Sequence, residues 1–595
     1  MSVSHFTKNW GAEPVGDNRW RFRLWAPGLS ELRVRLANVD HPMDRTRDGW
    51  FEGEFPADPD DTYAFILPDG HAVADPAARA QAGDVHGPSK LVDPRDFEWR
   101  CDWKGRPWHE SVIYELHVGA FSPGGNFDGA RERLDYLAET GITAIELCPV
   151  AQFSGERGWG YDGVLLYAPH PEYGGLQGLK RLVDAAHERG LMIFLDVVYN
   201  HFGPDGNYLH LYAPEFFDPG RQTPWGAAIA FEEPAVRNFF IENALYWLQE
   251  YRIDGLRLDA IDQITDPSAV SVLEELARTV RRTDFGRTVH LTTEDDRNVC
   301  FLHARDNHNR PLLYDGEWND DFHHVTHVLA TGETDGYYGD YADDPRADLM
   351  TALGEGYVHQ GRKSPYRNGS PRGEPSAHMP PVAFVNFLQN HDQTGNRAFG
   401  ERLTMLAEPE AVEVLTALLL LAPTVPLLFM GEEWGEKKPF QFFCDFEGAL
   451  GDAVREGRRR EFSRWAQFAD KTTRETIPDP NDPATFDRSR LDWAYAESPQ
   501  GRARRTLLRE LLRVRAAEVA PRLPGIKRMD TSIASVGERG ITVSWLLDDG
   551  TRLNLVVNLG GATFECVPDG RAIFDLRDPA SDPWALRAAI ARSAP

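Results

Sequence analysis

The chain has 595 residues and a formal net charge of −28, with 64 Lys and Arg against 92 Asp and Glu. This length exceeds one ordinary domain, so two to four domains are expected. The excess of acidic residues argues against nucleic acid or an anionic membrane as the main partner. No apolar run is long enough to cross a bilayer, because Pro423 and Pro426 interrupt the longest one.

Two features bear on the compartment. The first residues, "MSVSHFTKNWGAEP", lack the apolar stretch of a signal peptide. The five cysteines are widely spread and form no CxxC pair. Five widely spread cysteines in so long a chain are typical of a reducing environment, so we expect a cytoplasmic location.

The N-terminal region, residues 1–90, is predicted to be a small antiparallel β-sandwich. "RWRFRLWAPGLSELRVRL" alternates polar and apolar residues and turns at Pro27-Gly28. "GWFEGEFPADPDDTYAFILPDGHAV" repeats this alternation with a Pro-Asp-Gly turn. Short alternating runs between such turn residues indicate antiparallel strands.

The middle region, residues 91–521, changes to continuous apolar runs of strand length. We identify eight of them: "SVIYELHV", "ITAIELCPV", "LMIFLDVVYN", "RIDGLRLDA", "TVHLTTE", "PLLYDGE", "VAFVNFLQN" and "TVPLLFMGE". Amphipathic helical stretches such as "FDGARERLDYLAETG" and "LQGLKRLVDAAHERG" lie between the early ones. Strands that alternate with helices indicate parallel β-structure, and eight of them predict an α/β chain with a closed (β/α)₈ TIM barrel and inserted loops.

The last region, residues 522–595, returns to antiparallel patterns. "ITVSWLLDDGTRLNLVVNLG" reads as two strands joined around Asp548-Asp549-Gly550. A C-terminal antiparallel β-domain is therefore predicted.

Ionisable side chains collect where four barrel strands end. Asp196 ends the third strand, Arg257 and Asp259 the fourth, Glu294 the fifth, and His391 with Asp392 the seventh. A single such residue can merely cap a helix or turn. Because the carboxyl ends of barrel strands share one rim, four strands together predict a functional site.

Glycoside hydrolysis is typically catalysed by two carboxyl groups at one small site. Arg257 precedes Asp259 by two residues on the same strand face, so it should keep that carboxylate ionised as the nucleophile. Glu294 follows an uncharged strand without an adjacent cation, and nearby negative charge should keep its proton in place for a general acid. Asp392 would orient the sugar hydroxyls.

Four ordered motifs resemble those of the α-amylase superfamily, the family 13 glycoside hydrolases: "DVVYNH", "GLRLDAI", "TTED" and "NFLQNHD". The resemblance implies a retaining mechanism with Asp259 as nucleophile, Glu294 as acid/base and Asp392 as transition-state stabiliser. It implies substrate contacts at Asp196, His201, Arg257 and His391. "GWGYDG" resembles the family's loop after the second strand and offers Tyr161 as a ring that stacks on the sugar, with Asp162 beside it.

Further stretches, including "YELHVGAFSPGGNFDGA", "DDFHH" and "VREGRRREF", resemble the maltooligosyltrehalose trehalohydrolases within that superfamily. This resemblance implies hydrolysis of the α-1,4 bond next to a terminal trehalose, with maltooligosyltrehalose and related α-1,4-glucans as substrates. The N-terminal sandwich resembles a glycan-binding-like module. Many α-amylases carry Lys-His where this chain has Asp262-Gln263, a difference that favours another leaving group. The additional predicted substrate contacts are Asp262, Asp320, Asp321, Phe322, His323, His324 and Gln393.

Other interpretations remain open at this stage. A glycogen branching enzyme or an isoamylase-type debranching enzyme would share the nucleophile and the acid. A non-catalytic glucan-binding protein would need inert carboxylates, although all three catalytic positions are filled. The histidines of "HHVTH" have zinc-like spacing but lack a further ligand set, and no EF-hand loop is present, so neither a metal nor a cofactor is expected. "VREGRRREF" is interpreted as a helix face that pairs with local acids.

Overall fold

The computed structural model describes residues 8–592 except 17, 466, 467 and 469. Residues 1–7, at the start of the predicted N-terminal domain and of the segment examined for a signal peptide, lie outside the described residues. The described chain contains two N-terminal sheets, a closed barrel and a C-terminal sheet. No helix of the described residues combines the length and the apolar character that crossing a membrane requires.

The N-terminal region forms two antiparallel sheets, as predicted. Their strands are Glu13–Gly16, Arg19–Trp25, Arg33–Leu36, Val39–Pro42, Asp44–Arg45, Trp50–Pro56, Thr62–Ile66, Ala72–Val73, Ala80–Gln81 and Ser89–Lys90. Trp20, Phe22 and Leu24 alternate with arginines and are buried, which places them between the sheets. The alternation of polar and apolar residues in the sequence therefore corresponds to strands with one buried face.

Eight parallel strands close into a barrel, which confirms the predicted α/β fold. In chain order they are Ile113–Leu116, Ala144–Leu147, Met192–Val197, Gly255–Leu258, His290–Thr293, Gly316–Trp318, Phe384–Phe387 and Val425–Phe429. The last strand pairs with the first through Ile113 and Leu427. The sixth strand begins at Gly316, later than "PLLYDGE" suggests. Just before it, the Asp315 carboxylate accepts hydrogen bonds from the Leu291 backbone N–H and from Arg281.

Helices cover the barrel and the connections between its strands. They are Val118–Phe121, Phe127–Arg131, Leu134–Thr140, Gly175–Glu188, Leu209–Tyr212, Pro234–Glu250, Val272–Arg282, Asp320–Thr331, Pro345–Glu355, His391–Gly395, Leu403–Leu406, Pro409–Leu421, Gly448–Glu461, Lys471–Arg474, Pro483–Ser489, Trp493–Ala496 and Pro499–Val514. "FDGARERLDYLAETG" is two short helices rather than one. The second ends at Gly141, whose φ of 104° is a left-handed conformation that glycine adopts easily.

The C-terminal sheet has five antiparallel strands: Thr531–Val536, Gly540–Leu546, Thr551–Leu559, Arg571–Leu576 and Trp584–Arg592. The predicted hairpin at Asp548-Asp549-Gly550 joins the second strand to the third. The division of the chain at residues 90 and 521 stays a prediction.

Three small hairpins are inserted between barrel elements: Ala151–Gln152 with Leu165–Pro169, Phe217–Thr223 with Gly226–Ile229, and Arg362–Ser364 with Ser370–Arg372. The second hairpin carries Trp225, which stacks on His201, and the third contributes Arg372 to a cavity beside Asp392. Long connections thus surround the rim where the polar side chains lie.

Candidate active site

One buried guanidinium joins three carboxyl groups from three barrel strands. Arg257 lies in register with Asp196 on the neighbouring strand and is 1 % exposed. Its Nη1 donates to Asp196 Oδ2 at 2.5 Å and to Asp259 Oδ1 at 2.9 Å, and its Nη2 donates to Glu294 Oε2 at 2.7 Å. The predicted bond between Arg257 and Asp259 is therefore present, as part of a larger network.

The carboxylate of Asp259 is held at both oxygens. Arg257 binds Oδ1, and Asn200 Nδ2 donates to Oδ2 at 2.9 Å and also to the Asp259 carbonyl at 2.9 Å. The next residue, Ala260, has a φ of 40° and directs its backbone N–H to Glu294 Oε2 at 3.0 Å. Left-handed backbone at a residue with a side chain costs about 1–3 kcal/mol, and here it places a donor on the second carboxyl group.

Glu294 has an environment different from the one expected. We expected no cation beside it, but Arg257 contacts it directly. Burial raises the pKa of Glu294 well above its usual range; Arg257 opposes this, while the charges of Asp259, Asp392 and Asp320 add to it. Desolvation and the neighbouring carboxylates therefore favour the protonated form of Glu294, in spite of the cation.

Asp196 and Tyr161 lie in contact with each other beside Arg257. Burial raises the pKa of Asp196 to about 6, although Arg257 favours its charged form. The Tyr161 hydroxyl donates to Asp196 Oδ2 at 2.6 Å. Its ring stacks on His391 with centroids 5.0 Å apart, so the predicted sugar platform is backed by a histidine.

His391 pairs with a carboxylate on the first strand, Glu115, at 2.5 Å. Burial alone would lower the pKa of His391, but the charge of Glu115 and the hydrogen bond to it outweigh burial and raise it. His391 is therefore favoured as a charged donor. Glu115 was not predicted, although its place inside an apolar strand is a sequence signal for a buried role.

His201 lies at the edge of the site. Its Nε2 is 3.0 Å from the Tyr161 carbonyl oxygen, and its ring lies parallel to Trp225 with centroids 4.2 Å apart. Trp225 is 49 % exposed. This exposed aromatic surface was not predicted, and its turn position in the hairpin is the only signal in the sequence.

A cavity of about 310 Å³ opens beside Asp392. Of the predicted substrate contacts, Asp320, His324 and Gln393 line it. Gln393 Nε2 donates to Asp320 Oδ1 at 3.0 Å. Burial raises the pKa of Asp320 to about 7; Arg372 opposes this, and Asp392 is the first of several carboxylates that add to it. The lining of the cavity thus contains both hydrogen-bond donors and acceptors.

Asp321, Phe322 and His323 do not face this cavity, so their placement does not support substrate contact. Phe322 is a fully buried core residue. Asp321 accepts bonds from Arg372 at 2.9 Å and from the backbone N–H groups of residues 358 and 359, and His323 bonds to the Leu388 carbonyl oxygen and the Tyr338 hydroxyl. Successive residues of a helix point in different directions, so a five-residue motif cannot present every member to one groove.

Asp262 lies in the turn after Asp259, where its carboxylate bonds to Gln263. Burial, followed by the charge of Asp296, raises its pKa to about 6. Asp296 lines the cavity. Asp262 is thus near the cavity without lining it.

Other residues of the site were missed by sequence reasoning. The Trp318 ring lies 4.1 Å from the Arg257 guanidinium carbon, and the Asn396 side chain donates to Asp392 Oδ1 at 2.6 Å. The remaining unpredicted cavity residues are Asp296, Tyr337, Asp340, Tyr341, Tyr366, Arg367, Arg372 and Glu461. Most of these residues lie in inserted loops, where no periodicity marks a side chain as functional.

Comparisons with known proteins agree with this geometry. Residues 65–213 match the α-amylase catalytic domain, and residues 530–593 match a domain of unknown function, DUF3459. The chain is 41 % identical to the malto-oligosyltrehalose trehalohydrolase of Deinococcus radiodurans, over 97 % of this chain and 92 % of the relative. It is 39 % identical to the enzyme of that name from Saccharolobus solfataricus, over 79 % of this chain and 82 % of the relative. A crystal structure from Salmonella typhimurium, assigned provisionally to the α-amylases, is 49 % identical with a TM-score of 0.94 and covers 99 % of this chain and 100 % of its own.

Proposed function

The chain belongs to the malto-oligosyltrehalose trehalohydrolase family of α-amylase-type glycoside hydrolases, and we propose that it cleaves the α-1,4 bond next to the terminal trehalose of maltooligosyltrehalose. The products are trehalose and a shortened maltooligosaccharide, which places the reaction in trehalose biosynthesis. The five free cysteines support a cytoplasmic location. The net charge of −28 supports a neutral glucan, rather than nucleic acid or a membrane, as the partner.

In the first step, a carboxylate oxygen of Asp259 attacks the anomeric carbon of the glucose next to trehalose. The bond from that carbon to the O4 atom of trehalose breaks, and Glu294 gives its proton to this oxygen. Among the described residues, both hydrogen bonds to the Glu294 carboxyl group are accepted by Oε2, from Arg257 and Ala260, so Oε1 is left to carry the proton. Trehalose leaves, and a glycosyl ester remains on Asp259.

In the second step, Glu294 is a carboxylate and takes a proton from water. The water oxygen attacks the anomeric carbon from the side that trehalose left, the ester bond to Asp259 breaks, and the configuration is retained. Asp392 accepts hydrogen bonds from sugar hydroxyls in both steps. Tyr161 stacks on the ring at the point of cleavage, and His201 and His391 contact its hydroxyls.

A single observation carries these roles: the guanidinium of Arg257 bonds to both Asp259 and Glu294. A retaining enzyme needs two carboxyl groups about 5–5.5 Å apart, one ionised and one protonated. A shared partner keeps the two groups close together. Burial and the neighbouring carboxylates then favour the proton on Glu294.

The product of the reaction distinguishes this function from its alternatives. Maltooligosyltrehalose, amylose and pullulan are each incubated with the protein, and the products are separated by chromatography. We expect free trehalose from the first substrate. Branched product from amylose would indicate a branching enzyme instead, and cleavage of the α-1,6 bonds of pullulan would indicate a debranching enzyme.

A variant tests the catalytic roles. Asp259→Ala should lose several orders of magnitude in kcat, because removal of a covalent nucleophile typically does. Oligosaccharide binding, measured by calorimetry, should persist. Unchanged turnover in this variant would refute the assignment of the nucleophile, and binding without turnover in the unaltered protein would identify a glucan-binding protein.

A further inference from the structure

The helix Gly448–Glu461 lies outside the barrel and carries the basic run "VREGRRREF". Most of this run fits its interpretation as a surface face, since Arg455 pairs with Asp452 and Asp479, and Arg460 is exposed. Arg458 differs from these neighbours because it is only 8 % exposed. Burial of a single arginine within a basic surface run indicates that it has a specific partner.

The partner of Arg458 is the turn that follows Asp392. Arg458 Nη2 donates to the carbonyl oxygens of Gly395 at 2.7 Å and of Arg397 at 3.0 Å. Its Nη1 donates to Glu461 at 3.0 Å and lies 3.5 Å from Asn396 Oδ1. One nitrogen therefore binds the carbonyl groups on both sides of Asn396.

Asn396 in turn holds the catalytic carboxylate. Its Nδ2 donates to Asp392 Oδ1 at 2.6 Å, and its backbone N–H donates to the Asp392 carbonyl at 2.9 Å. Asp392 and Asn396 belong to a helix of five residues, His391–Gly395, and its C-cap. So short a helix has little rigidity of its own, and its orientation depends on tertiary contacts.

A second anchor holds the far side of the same turn. The guanidinium of Arg397 binds both oxygens of Glu333, at 2.8 and 3.0 Å, and Glu333 also bonds to His327. This ion pair holds residue 397, whereas the carbonyl group of residue 395 is held by Arg458. The two anchors are therefore not redundant.

We propose that Arg458 is a positioning residue for the reaction: it fixes the turn 395–397, so that Asn396 holds the Asp392 carboxylate in the orientation that stabilises the transition state. The inference rests on the proposed role of Asp392. A displacement of about 1 Å in a group that contacts the reacting sugar can cost about 100-fold in rate. Arg458 does not line the cavity itself, so its loss can lower kcat strongly with little effect on ground-state binding.

Substitutions on this helix test the proposal with maltooligosyltrehalose as substrate. We expect Arg458→Met to lower kcat by about tenfold to 100-fold and to change KM by less than about threefold. Arg458→Lys should lose less, because it keeps one donor and the charge. The matched control, Arg460→Met on the exposed face, should equal the unaltered protein. A kcat of Arg458→Met within twofold of that of Arg460→Met would overturn the proposal.

A double-variant cycle separates positioning from a general structural role. If Arg458 acts through Asn396, the double variant with Asn396→Ala and Arg458→Met should be no slower than Asn396→Ala alone. Multiplied losses would contradict this coupling. Added methylguanidinium should also restore kcat in Arg458→Ala, where the removed side chain leaves space. It should not restore kcat in Arg458→Met. Equal responses in both variants would count against the proposed positioning role of Arg458.

The failure of this inference is distinguishable from failure of the proposed function. Asp392→Asn tests the role of the carboxylate itself and should reduce kcat far more than any Arg458 variant. Normal turnover in Asp392→Asn would remove the premise. A large loss in Asp392→Asn together with a normal Arg458→Met would keep the function and refute only the clamp.

Discussion

Replacement of Arg257 by methionine tests the electrostatic account of the site most directly. Methionine fills a similar volume and removes the three ion pairs to Asp196, Asp259 and Glu294, which have N···O distances of 2.5–2.9 Å. Three carboxyl groups would then face each other without a cation. The substitution should affect both stability and turnover.

The expected loss of stability follows from the burial of the network. Removal of one partner from a buried ion pair typically costs about 3–5 kcal/mol. At about 2.1 cal/mol/K per residue, a barrel region of roughly 400 residues unfolds with an entropy near 0.8 kcal/mol/K, so a loss of about 4 kcal/mol lowers its unfolding midpoint by about 5 °C. Turnover should fall by several orders of magnitude, because Asp259 and Glu294 lose the group that orients both of them.

The loss should depend on pH in a defined direction. The pKa of Asp196 is about 6 in the folded protein, against about 3.9 in an unfolded chain. A carboxyl group with a raised folded pKa contributes its full stability below the unfolded pKa and loses it as the pH rises through the folded pKa. Without Arg257 the folded pKa values of Asp196 and Glu294 rise further, so the gap in midpoint between variant and unaltered protein should be larger at pH 8 than at pH 5.

Thermal unfolding at pH 5 and pH 8, followed by circular dichroism, measures this gap. Arg515→Met is the matched control, because Arg515 is equally buried and, within the described part of the chain, donates only to the backbone carbonyls of residues 420, 422 and 424. This control should lose stability by a similar amount at both pH values and keep its kcat. A gap for Arg257→Met that is independent of pH would refute the electrostatic reasoning.

Three further predictions concern single groups. Glu294→Gln should lose turnover of maltooligosyltrehalose but release fluoride from an α-maltosyl fluoride, whose leaving group needs no proton; loss of both activities would contradict its role as general acid. Tyr161→Phe keeps the stacking ring and loses the hydroxyl that donates to Asp196, so kcat should fall by about tenfold. Tyr161→Ala also removes the ring, so its kcat should fall further. Equal losses of kcat in the two variants would assign the effect to the hydroxyl alone. Burial raises the pKa of Glu433 to about 7, so ionisation of this carboxyl group costs the folded state about 3 kcal/mol above pH 7. Glu433→Gln should therefore raise the unfolding midpoint at pH 8 and not at pH 5. A rise at both pH values would exclude ionisation of Glu433 as the cause.

Much of this molecule could be predicted from local patterns in the sequence. Period-two alternation predicted the terminal sheets, and continuous apolar runs predicted the eight barrel strands, because burial on one face or on both selects those patterns directly. Parallel strands in a closed barrel share one carboxyl rim, so the polar ends of "IFLDV", "GLRLD" and "VHLTTE" could be assigned to a common site before any distance was known. That assignment needs only the order of the strands.

The tertiary structure decided which partners each group has. Arg257 was expected beside Asp259, but its second nitrogen reaches Glu294 on the next strand, and burial rather than the absence of a cation favours the proton there. The motif "DDFHH" divides between cavity and core, because helical geometry turns Asp321 and His323 away from the groove that Asp320 and His324 line. The clamp from Arg458 to the turn after Asp392 joins segments more than 60 residues apart. Sequence periodicity reports which face of an element is buried, whereas contacts between loops depend on where the closed barrel brings them, and no local pattern encodes that distance.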